Sequence, residues 1–350
     1  MHALMTTTAS GGSGDPHREA MTRILQRRAV VQGSITLPAV PGLLSEYVAM
    51  CLDTFAAVGV VFDDEQAAHL RSTLETQLTE AYSASPRSEI VIGYDVPVGH
   101  VVTYTVTPRW RTLPEAYDAW VADREPPYFG TEPDARVWAL SGAVDEPAGC
   151  RVLDLGAGTG RNALALARRG HPVDALEASP AFVEVLRTQA QQQGLDIRIL
   201  PRDMFATSDD LHRDYGLIVM SEVASDFRGT ADLRRVFDLA AACLAPAGLL
   251  VLNAFVARPG YEPDDAARQL GQQTYTSVFT RTEVLAAAAG LPLELVDDHS
   301  VHDFEHDHLE AEHWPPTGWY IPWVSGQDLF ALPREDSPVE MRWLVFRRTS

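Results

Sequence analysis

The chain has 350 residues, of which 46% are hydrophobic and 22% are charged, the composition of an ordinary globular protein that can bury a sizeable core. Acidic residues outnumber basic ones by 48 to 28, and the formal net charge is −20. A surface this acidic repels phosphate backbones, so the composition argues against a nucleic-acid partner.

Three further properties of the sequence bear on where the protein works. The longest apolar runs fall far short of a membrane span, so we expect no membrane partner. Residues 1–20 contain few apolar groups, begin without the basic-then-apolar order of a secretory signal, and predict a disordered tail. Cys51, Cys150 and Cys243 are far apart and indicate neither a disulfide framework nor a cysteine zinc site. We therefore expect a cytoplasmic protein.

Residues 21–149 form the next part of the sequence, in which helical and β-type patterns succeed each other. Apolar residues recur at helical spacing up to Thr79, with Asp63 and Gln66 as the capping box of a second helix. Two β-rich runs on either side of Val96-Pro-Val-Gly predict a hairpin, and a helix is expected over 113–121. We expect this mainly helical region to cover the substrate or to form a homodimer.

From residue 150 onward, apolar strands alternate with amphipathic helices. The predicted strands are 151–155, 172–177, 196–200, 215–220, 249–255, 293–296 and 341–346. Alternation of this kind predicts a parallel sheet that is covered by helices on both faces. The sequence therefore indicates one α/β domain over 150–350, with residues 299–340 as an insertion between its last two strands.

A glycine-rich loop follows the first of these strands, in Val152-Leu-Asp-Leu-Gly-Ala-Gly-Thr-Gly-Arg-Asn-Ala. A dinucleotide fingerprint would need its third glycine at Arg161, whereas the third glycine here is Gly160. Asp154 precedes the loop, and no Lys-Ser or Lys-Thr pair follows it as a P-loop would require. The loop is therefore a poor cradle for a pyrophosphate.

The pattern Asp154-x-Gly-x-Gly-x-Gly at a strand end resembles the first motif of class I S-adenosylmethionine-dependent methyltransferases, and the resemblance extends over about residues 150 to 298. It implies a seven-stranded, doubly wound Rossmann-like sheet whose last strand is antiparallel to its neighbours. It also implies S-adenosylmethionine as the cofactor. Within that class, Gly160-Arg161-Asn162-Ala163 is similar to the tellurite-resistance type of small-molecule methyltransferase.

The resemblance also implies roles for individual residues at the ends of the predicted strands. Glu177 ends the second strand, where the family holds the ribose hydroxyls with a carboxylate. Asp203 follows the third strand, where the family places an acid on the adenine amino group. The predicted cofactor-binding residues are Asp154, Gly156, Gly158, Gly160, Asn162, Glu177, Asp203, Met204 and Ser221.

Glu222 and His302 are the main candidates for catalysis, and Asp226 and Phe227, on the loop after the fourth strand, are further candidates. Methyl transfer needs a nucleophile held in line with the methyl group and often a base. Glu222 ends the fourth strand and is a candidate base, although a carboxylate there could equally support the methionine ammonium group. His302 is the second candidate, because imidazole titrates near neutral pH.

The sequence after the sixth predicted strand is rich in histidine. His299, His302, His306 and His308 could bind a metal ion together with neighbouring acids. A solvated acidic loop without a metal explains the same pattern, and so does one histidine that reaches the site as an acid or a base. We expect no metal.

Aromatic and proline residues in the insertion and just before the α/β domain indicate a rigid apolar lid over the substrate. The predicted lid residues are Tyr128, Trp319, Tyr320 and Trp323. The alternative is that these side chains pack onto the domain. Arg109, Arg111 and Arg136 are candidates to bind a substrate carboxylate, or else are surface residues.

Taken together, these features favour a methyltransferase that acts on a small molecule, with the acceptor atom open. A protein or peptide methyltransferase has the same fold and cofactor, and the acidic charge would favour a basic peptide. A non-catalytic protein that binds S-adenosylmethionine is the remaining alternative.

Overall fold

The computed structural model describes residues 15–28, 30–96, 102–110, 115, 117, 121, 123–125, 127–206 and 209–349. The chain divides into two compact units, one made of 1–84 with 88–110 and the other of 85–87 with 111–350. The division therefore falls after Trp110 and not at the predicted boundary at residue 150. None of the described helices is both long enough and apolar enough to cross a membrane.

The first unit combines helices with a small antiparallel sheet. Its described helices are α1 (Pro16–Arg28), α2 (Leu44–Ala57) and α3 (Asp64–Ala84). Its strands are β1 (Val31–Pro38), β2 (Glu89–Val96) and β3 (Thr103–Arg109), in the order β1-β2-β3. The predicted hairpin is confirmed, since β2 and β3 are antiparallel neighbours. Its turn, 97–101, and most of the helix expected over 113–121 lie outside the described residues.

Local hydrogen bonds explain two helix starts in the first unit. The predicted capping box is confirmed: the Gln66 N–H donates to Asp63 Oδ1 over 2.8 Å, and the Asp63 N–H donates to Gln66 Oε1 over 3.0 Å. The disordered tail predicted for 1–20 is wrong for its last residues, because α1 already begins at Pro16. There the Asp15 carboxylate accepts the His17 N–H and proline occupies the first helical position. Residues 1–14 lie outside the described part.

The second unit carries the large sheet and the helices that cover it. The described helices are α4 (Ala135–Gly142), α5 (Arg161–Arg169), α6 (Pro180–Gln193), α7 (Thr230–Cys243), α8 (Asp265–Gln273), α9 (Arg281–Ala288), α10 (Val301–His308), α11 (Tyr320–Val324) and α12 (Gln327–Phe330). The strands are β4 (Val152–Leu155), β5 (Val173–Glu177), β6 (Ile197–Pro201), β7 (Tyr215–Met220), β8 (Leu244–Ala257), β9 (Val278–Phe279), β10 (Leu293–Ser300) and β11 (Val339–Arg348).

The strand order of the large sheet is β10-β11-β8-β7-β4-β5-β6, and the two-residue strand β9 is parallel to the far end of β8. β11 is antiparallel to both β8 and β10, while β8, β7, β4, β5 and β6 run parallel to one another. The predicted seven-stranded doubly wound sheet is confirmed, with β9 as an unpredicted addition. The order of the strands along the chain reverses between β4 and β7, which is where sheets of this kind bind ligands.

Apolar side chains on both faces of the sheet form the core of the second unit. Successive side chains of a strand point to opposite faces. Accordingly, Leu153 and Leu155 join one buried layer with Phe237 of α7, whereas Val152 joins the other with Leu164 of α5. The sheet is therefore rigid where β4 ends, and the loop that follows β4 starts from a fixed point.

Candidate active site

A cavity of about 340 Å³ lies at the carboxyl ends of β4, β5, β6 and β7. This volume is within the range of small-molecule sites. Most of the residues predicted for the cofactor line it, and so does the candidate base: Asp154, Gly156, Gly158, Asn162, Glu177, Asp203, Met204, Ser221 and Glu222. The structure therefore brings together residues from four strand ends that are up to 68 positions apart in sequence (from 154 to 222).

The glycine loop turns tightly between β4 and α5. Gly156 has a φ of +70°, and a Cβ atom there would come within 2.5 Å of Val223 Cγ2. Gly160 has a φ of +94° and is the N-cap residue of α5. A Cβ at Gly160 would overlap the side chain of Leu186, which is fully buried. Gly160 thus shapes the start of α5 rather than lining the cavity.

Replacing Gly160 by Ala should lower the free energy of unfolding by at least about 2 kcal/mol. The reasons are a left-handed φ and an overlap in a closely packed core. Gly194→Ala is the matched control, because Gly194 has a φ of +65° but nothing within 4 Å of an added Cβ. We expect the control to lose only about 1 kcal/mol in urea denaturation. Equal losses in the two variants would show that Leu186 moves aside.

Glu177 ties the glycine loop to the end of β5. Its carboxylate Oε2 accepts the Gly158 N–H over 2.8 Å, and its Oε1 accepts the Ser179 N–H over 2.7 Å. The side chain is only 8% exposed, and burial raises its pKa although the backbone donors oppose the shift. Since a carboxylate has about four acceptor positions, Glu177 can still accept a donor from the cavity. The hydroxyl groups of a ribose are donors of this kind.

Asp154 is a buried acid with an acceptor atom that is not used. Its side chain is 2% exposed, and Oδ2 has no hydrogen-bond partner among the described residues. Burial, followed by the nearby Asp134 carboxylate, raises the pKa of Asp154 to about 7, while Arg161 acts in the opposite direction. An unsatisfied acceptor at this depth is costly and calls for a donor or a cation from the cavity.

Arg161 is the cation of a buried network beside Asp154. One guanidinium nitrogen, Nη2, lies 2.6 Å from Glu222 Oε1 and 2.9 Å from Asp134 Oδ1. Asn162 uses its amide to hold Asp134: its Oδ1 accepts the Asp134 N–H over 3.0 Å, and its Nδ2 donates to Asp134 Oδ2 over 2.8 Å. Although Asn162 lines the cavity, its amide is therefore engaged by Asp134.

Glu222 sits in a strained and closely held position after β7. It has a φ of +63°, and its N–H donates to Asn253 Oδ1 over 2.6 Å. Asn253 Nδ2 donates in turn to the Ser221 hydroxyl over 3.3 Å. Burial raises the pKa of Glu222, and Arg161 opposes the shift. The Glu222 carboxylate thus holds Arg161 beside the cavity.

Asp203 and Met204 lie where β6 ends, at the part of the cavity predicted for adenine. Asp203 is exposed, and its Oδ1 accepts the Phe205 N–H over 2.6 Å. Phe205 and Phe227 also line the cavity, with ring centroids 5.8 Å apart. These contacts fix the loop after β6 and leave the second oxygen of Asp203 for an adenine N–H.

The predicted lid residues do not line the cavity that the described residues form. Tyr320 and Trp323 are buried with Val301 and Trp343 in the core layer that covers one face of the sheet. Trp319 packs against Trp323, with ring centroids 5.4 Å apart. This correction has a physical reason: the indole and phenol rings gain more from burial against the sheet than from covering an open cavity.

A buried acid holds the insertion in this place. Glu305 of α10 accepts the Ala135 N–H over 2.7 Å, the Arg136 N–H over 3.2 Å and the indole N–H of Trp343 over 2.9 Å. Burial raises the pKa of Glu305 to about 8. The insertion is thereby attached to α4 and β11.

The remaining predicted lid residue, Tyr128, lies nearer the cavity. Tyr128 is adjacent to Phe129, which lines the cavity, and the Tyr128 ring lies 6.5 Å from that of Phe182.

The histidines of α10 and the end of β10 contact acids, aromatic rings and one another, and none of them is among the residues that line the cavity. His302 and His306 stack with ring centroids 6.1 Å apart, and each Nδ1 contacts the following aspartate. His299 Nδ1 lies 2.8 Å from Asp297 Oδ1, and the ring of His308 stacks on Phe304. In the part of the chain that the structure describes, no group of three or more His, Cys, Asp or Glu side chains could hold a metal ion. His302 is not among the residues that line the cavity in the described part of the chain.

Comparison with known proteins identifies the class of the domain. Residues 152–248 match a family described as methyltransferase domain. The chain is 34% identical over 90 residues to magnesium-protoporphyrin O-methyltransferase of Rhodobacter capsulatus, and 38% identical over 85 residues to hemagglutinin 1 of Eikenella corrodens. These matches cover 26% and 24% of this chain and 40% and 28% of the relatives, so the chain spans less than half of their length.

A solved structure with a similar fold is geranyl diphosphate C-methyltransferase from Streptomyces coelicolor A3(2), with a TM-score of 0.49 and 18% identity. The similarity covers 61% of this chain and 78% of that one. Residues 152–248, with their family match and their place in the large sheet, form a methyltransferase domain.

Proposed function

We propose that the protein is an enzyme that transfers a methyl group from S-adenosylmethionine to a small-molecule acceptor. The observation that carries the proposal is the Glu177 carboxylate, buried beside the glycine loop and held there by two backbone N–H groups. A carboxylate in this position accepts hydroxyl donors such as those of an adenosine ribose. The loop before α5 lacks the third glycine of a dinucleotide fingerprint, which favours S-adenosylmethionine over a dinucleotide.

The residues around the cavity fit the rest of S-adenosylmethionine. Asp154 offers a buried, unsatisfied acceptor to the ammonium group, and Arg161 offers a guanidinium to the carboxylate. Asp203 and Met204 line the part expected to hold adenine. When bound, the cofactor supplies a methyl group on a positively charged sulfur.

The protein's own contribution is to hold the acceptor and to exclude water. Tyr117, Phe129 and Phe182 line the cavity, and the ring of Phe182 lies 6.1 Å from that of Tyr117 and 5.6 Å from that of Phe129. A Cβ at Gly158 would lie 3.7 Å from Phe129, so this ring lies over the glycine loop. Aromatic cover of this kind favours a small acceptor and strengthens the electrostatic interactions inside the site.

Calorimetry followed by a transfer assay tests the proposal. We expect the purified protein to bind S-adenosylmethionine and S-adenosylhomocysteine, and to move a labelled methyl group into small molecules of a metabolite extract. Label found only in protein would favour a peptide substrate. Binding without transfer to any acceptor would favour a non-catalytic protein, and absence of binding would refute the proposal.

The affinity for S-adenosylmethionine should rise with pH between about 5.5 and 7, by up to about tenfold per pH unit. The pKa of Asp154 is raised to about 7 in the free protein, so below that pH the acid must lose a proton before it can pair with the ligand's ammonium group. Calorimetry in this pH range measures the slope. Asp154→Asn should flatten it, whereas Asp238→Asn, an exposed control on α7, should not. If the slope of affinity against pH is unchanged in Asp154→Asn, the proton lost on binding comes from another group.

A further inference from the structure

A second acidic residue, Asp226, lies in the wall of the cavity and is held from two sides. Arg87 Nη2 donates to its Oδ1, and the Tyr117 hydroxyl donates to its Oδ2 over 2.5 Å. The side chains of Arg87 and Asp226 are only 4% and 11% exposed. Asp226 and Tyr117 both line the cavity, so a carboxylate held by a cation and a phenol borders the binding space.

Aromatic packing fixes this cluster in position. The Arg87 guanidinium lies over the ring of Tyr275, 3.6 Å from its centroid, and the Tyr275 carbonyl accepts the indole N–H of Trp323 over 2.8 Å. The Tyr117 ring lies 5.9 Å from that of Tyr275. A buried ion pair is expensive in desolvation and is weak evidence for a purely stabilising role. The place of this ion pair in the cavity wall therefore indicates a role in function.

We propose that Asp226 accepts the proton of the methyl acceptor, and that this acceptor is a hydroxyl group on an aromatic ring. The inference rests on the proposed methyl transfer. In the step, the hydroxyl oxygen bonds to the methyl carbon, the sulfur–methyl bond breaks and leaves a neutral thioether, and the hydroxyl proton passes to the Asp226 carboxylate. The positive charge of the sulfonium and the negative charge of the carboxylate are lost together, so charge is balanced.

The surroundings of Asp226 favour a neutral aromatic acceptor over an amine. Arg87 neutralises Asp226 and Arg161 neutralises Glu222, so a cationic ammonium group would gain little at either carboxylate. Away from the part expected to hold adenine, the aromatic side chains of Tyr117, Phe129 and Phe182 line the cavity. Rings pack well against rings at edge-to-face or offset geometry, and such a surface orients a planar molecule.

Asp226 and Glu222 both follow β7 and line the cavity, and each pairs with an arginine. Glu222 shares Arg161 with Asp134, whereas Asp226 also accepts the hydroxyl of Tyr117, an aromatic side chain that itself lines the cavity. Burial raises the pKa of Asp226 while Arg87 and Tyr117 oppose the shift. Arg87 and Tyr117 are in this scheme positioning residues, which aim the carboxylate and hold it ionised.

A series of phenols of graded acidity, from phenol to 4-nitrophenol, tests the proposal together with Asp226→Asn. We expect the variant to bind S-adenosylmethionine within twofold of the unaltered protein and to methylate phenol about 10²- to 10⁴-fold more slowly, the range for loss of a general base. The loss should shrink sharply for 4-nitrophenol, whose hydroxyl ionises without help near neutral pH. Asp238→Asn is the control and should behave like the unaltered protein.

Two further measurements keep the test decisive if Asp226→Asn folds poorly. Tyr117→Phe retains the base and the ion pair, and removes a hydrogen bond that lowers the pKa of Asp226. The midpoint of its kcat/KM profile against pH should therefore move upward, while affinity for the cofactor stays unchanged. Independently of turnover, the absorbance of bound 4-nitrophenol should show more of the protonated form in the unaltered protein than in Asp226→Asn, because the carboxylate accepts its O–H.

The outcomes separate this inference from the proposed function. Equal losses across the phenol series, or an unmoved pH midpoint in Tyr117→Phe, would overturn the role of Asp226 as the base. Binding of S-adenosylmethionine without methylation of any phenol would overturn the aromatic hydroxyl acceptor and leave the proposed function standing. Absence of S-adenosylmethionine binding in the unaltered protein would refute the proposed function itself.

Discussion

Glu177→Ala should weaken S-adenosylmethionine binding by about 1.5–3 kcal/mol, which is roughly a ten- to 150-fold higher dissociation constant. The carboxylate is expected to accept the ribose hydroxyls, and hydrogen bonds to a charged acceptor have this magnitude. The structure adds a second reason. Glu177 also holds the N–H groups of Gly158 and Ser179, so its loss loosens the loop on which the cofactor lies.

Calorimetric titration with S-adenosylmethionine measures this effect. Glu184→Ala is the matched control, because Glu184 is an exposed glutamate on α6 whose contact is with Arg187 over 3.3 Å. We expect the control to bind as the unaltered protein does. An affinity of Glu177→Ala within a factor of two of the unaltered protein would remove Glu177 from the site.

Arg161→Met should lower the free energy of unfolding of the second unit by about 3–5 kcal/mol, the cost of removing one partner from a buried ion pair. Arg161 lies between Asp134 and Glu222, whose side chains are 1% and 11% exposed. Methionine has a similar length and leaves these carboxylates without their cation. The variant should also bind S-adenosylmethionine more weakly, since Arg161 lines the cavity.

Urea denaturation followed by tryptophan fluorescence measures the loss, because the fully buried Trp343 lies in the same unit. The loss should be larger at about pH 8 than at about pH 5, since Glu222 has a raised pKa that Arg161 opposes and can take up a proton as the pH falls. Arg187→Met, an exposed arginine on α6, is the control and should cost less than about 1 kcal/mol. A loss in Arg161→Met as small as in this control would show that Asp134 and Glu222 do not depend on the arginine.

Much of the second unit follows from sequence pattern alone. Strand–helix alternation predicts the sheet, and the positions of β10 and β11 agree with it. Because parallel strands bring their carboxyl ends to one edge, residues that follow β4, β5, β6 and β7 must meet there. Glu177 and Asp154 could therefore be placed in one site from their positions at strand ends, which the cavity bears out.

The position of the insertion, residues 299–340, could not be predicted from the sequence pattern. Its aromatic and proline residues are equally suited to a lid and to a packed layer, and the sequence holds no signal that separates the two. Tyr320 and Trp323 are buried because Val301, Val324 and Trp343 offer an apolar surface on one face of the sheet. Which face an irregular segment covers depends on its whole path, and that path is decided by contacts such as those of Glu305 with Ala135 and Trp343.

The arginines at the site could not be predicted from the sequence pattern either. The sequence suggested Arg109, Arg111 and Arg136 for substrate recognition. Arg109 is exposed, Arg111 lies outside the described residues, and Arg136 pairs with Asp297. Arg161 lines the cavity, and Arg87 pairs with Asp226 of the cavity wall, which is 139 positions away along the chain. The sequence around Arg87 contains no repeat or motif, so no pattern predicts its pairing with Asp226.

The sequence by itself thus determined the order of the strands, the glycine loop after β4 and the acids that end β5 and β7, because these features depend on local periodicity and on the fixed geometry of parallel strands. Only the tertiary structure decided the partners of Arg161, the burial of Tyr320 and the contact between Arg87 and Asp226. These pairings join residues far apart in the chain. Each is selected by the desolvation of a charge or the packing of a ring, which exists only once the surrounding elements are in place.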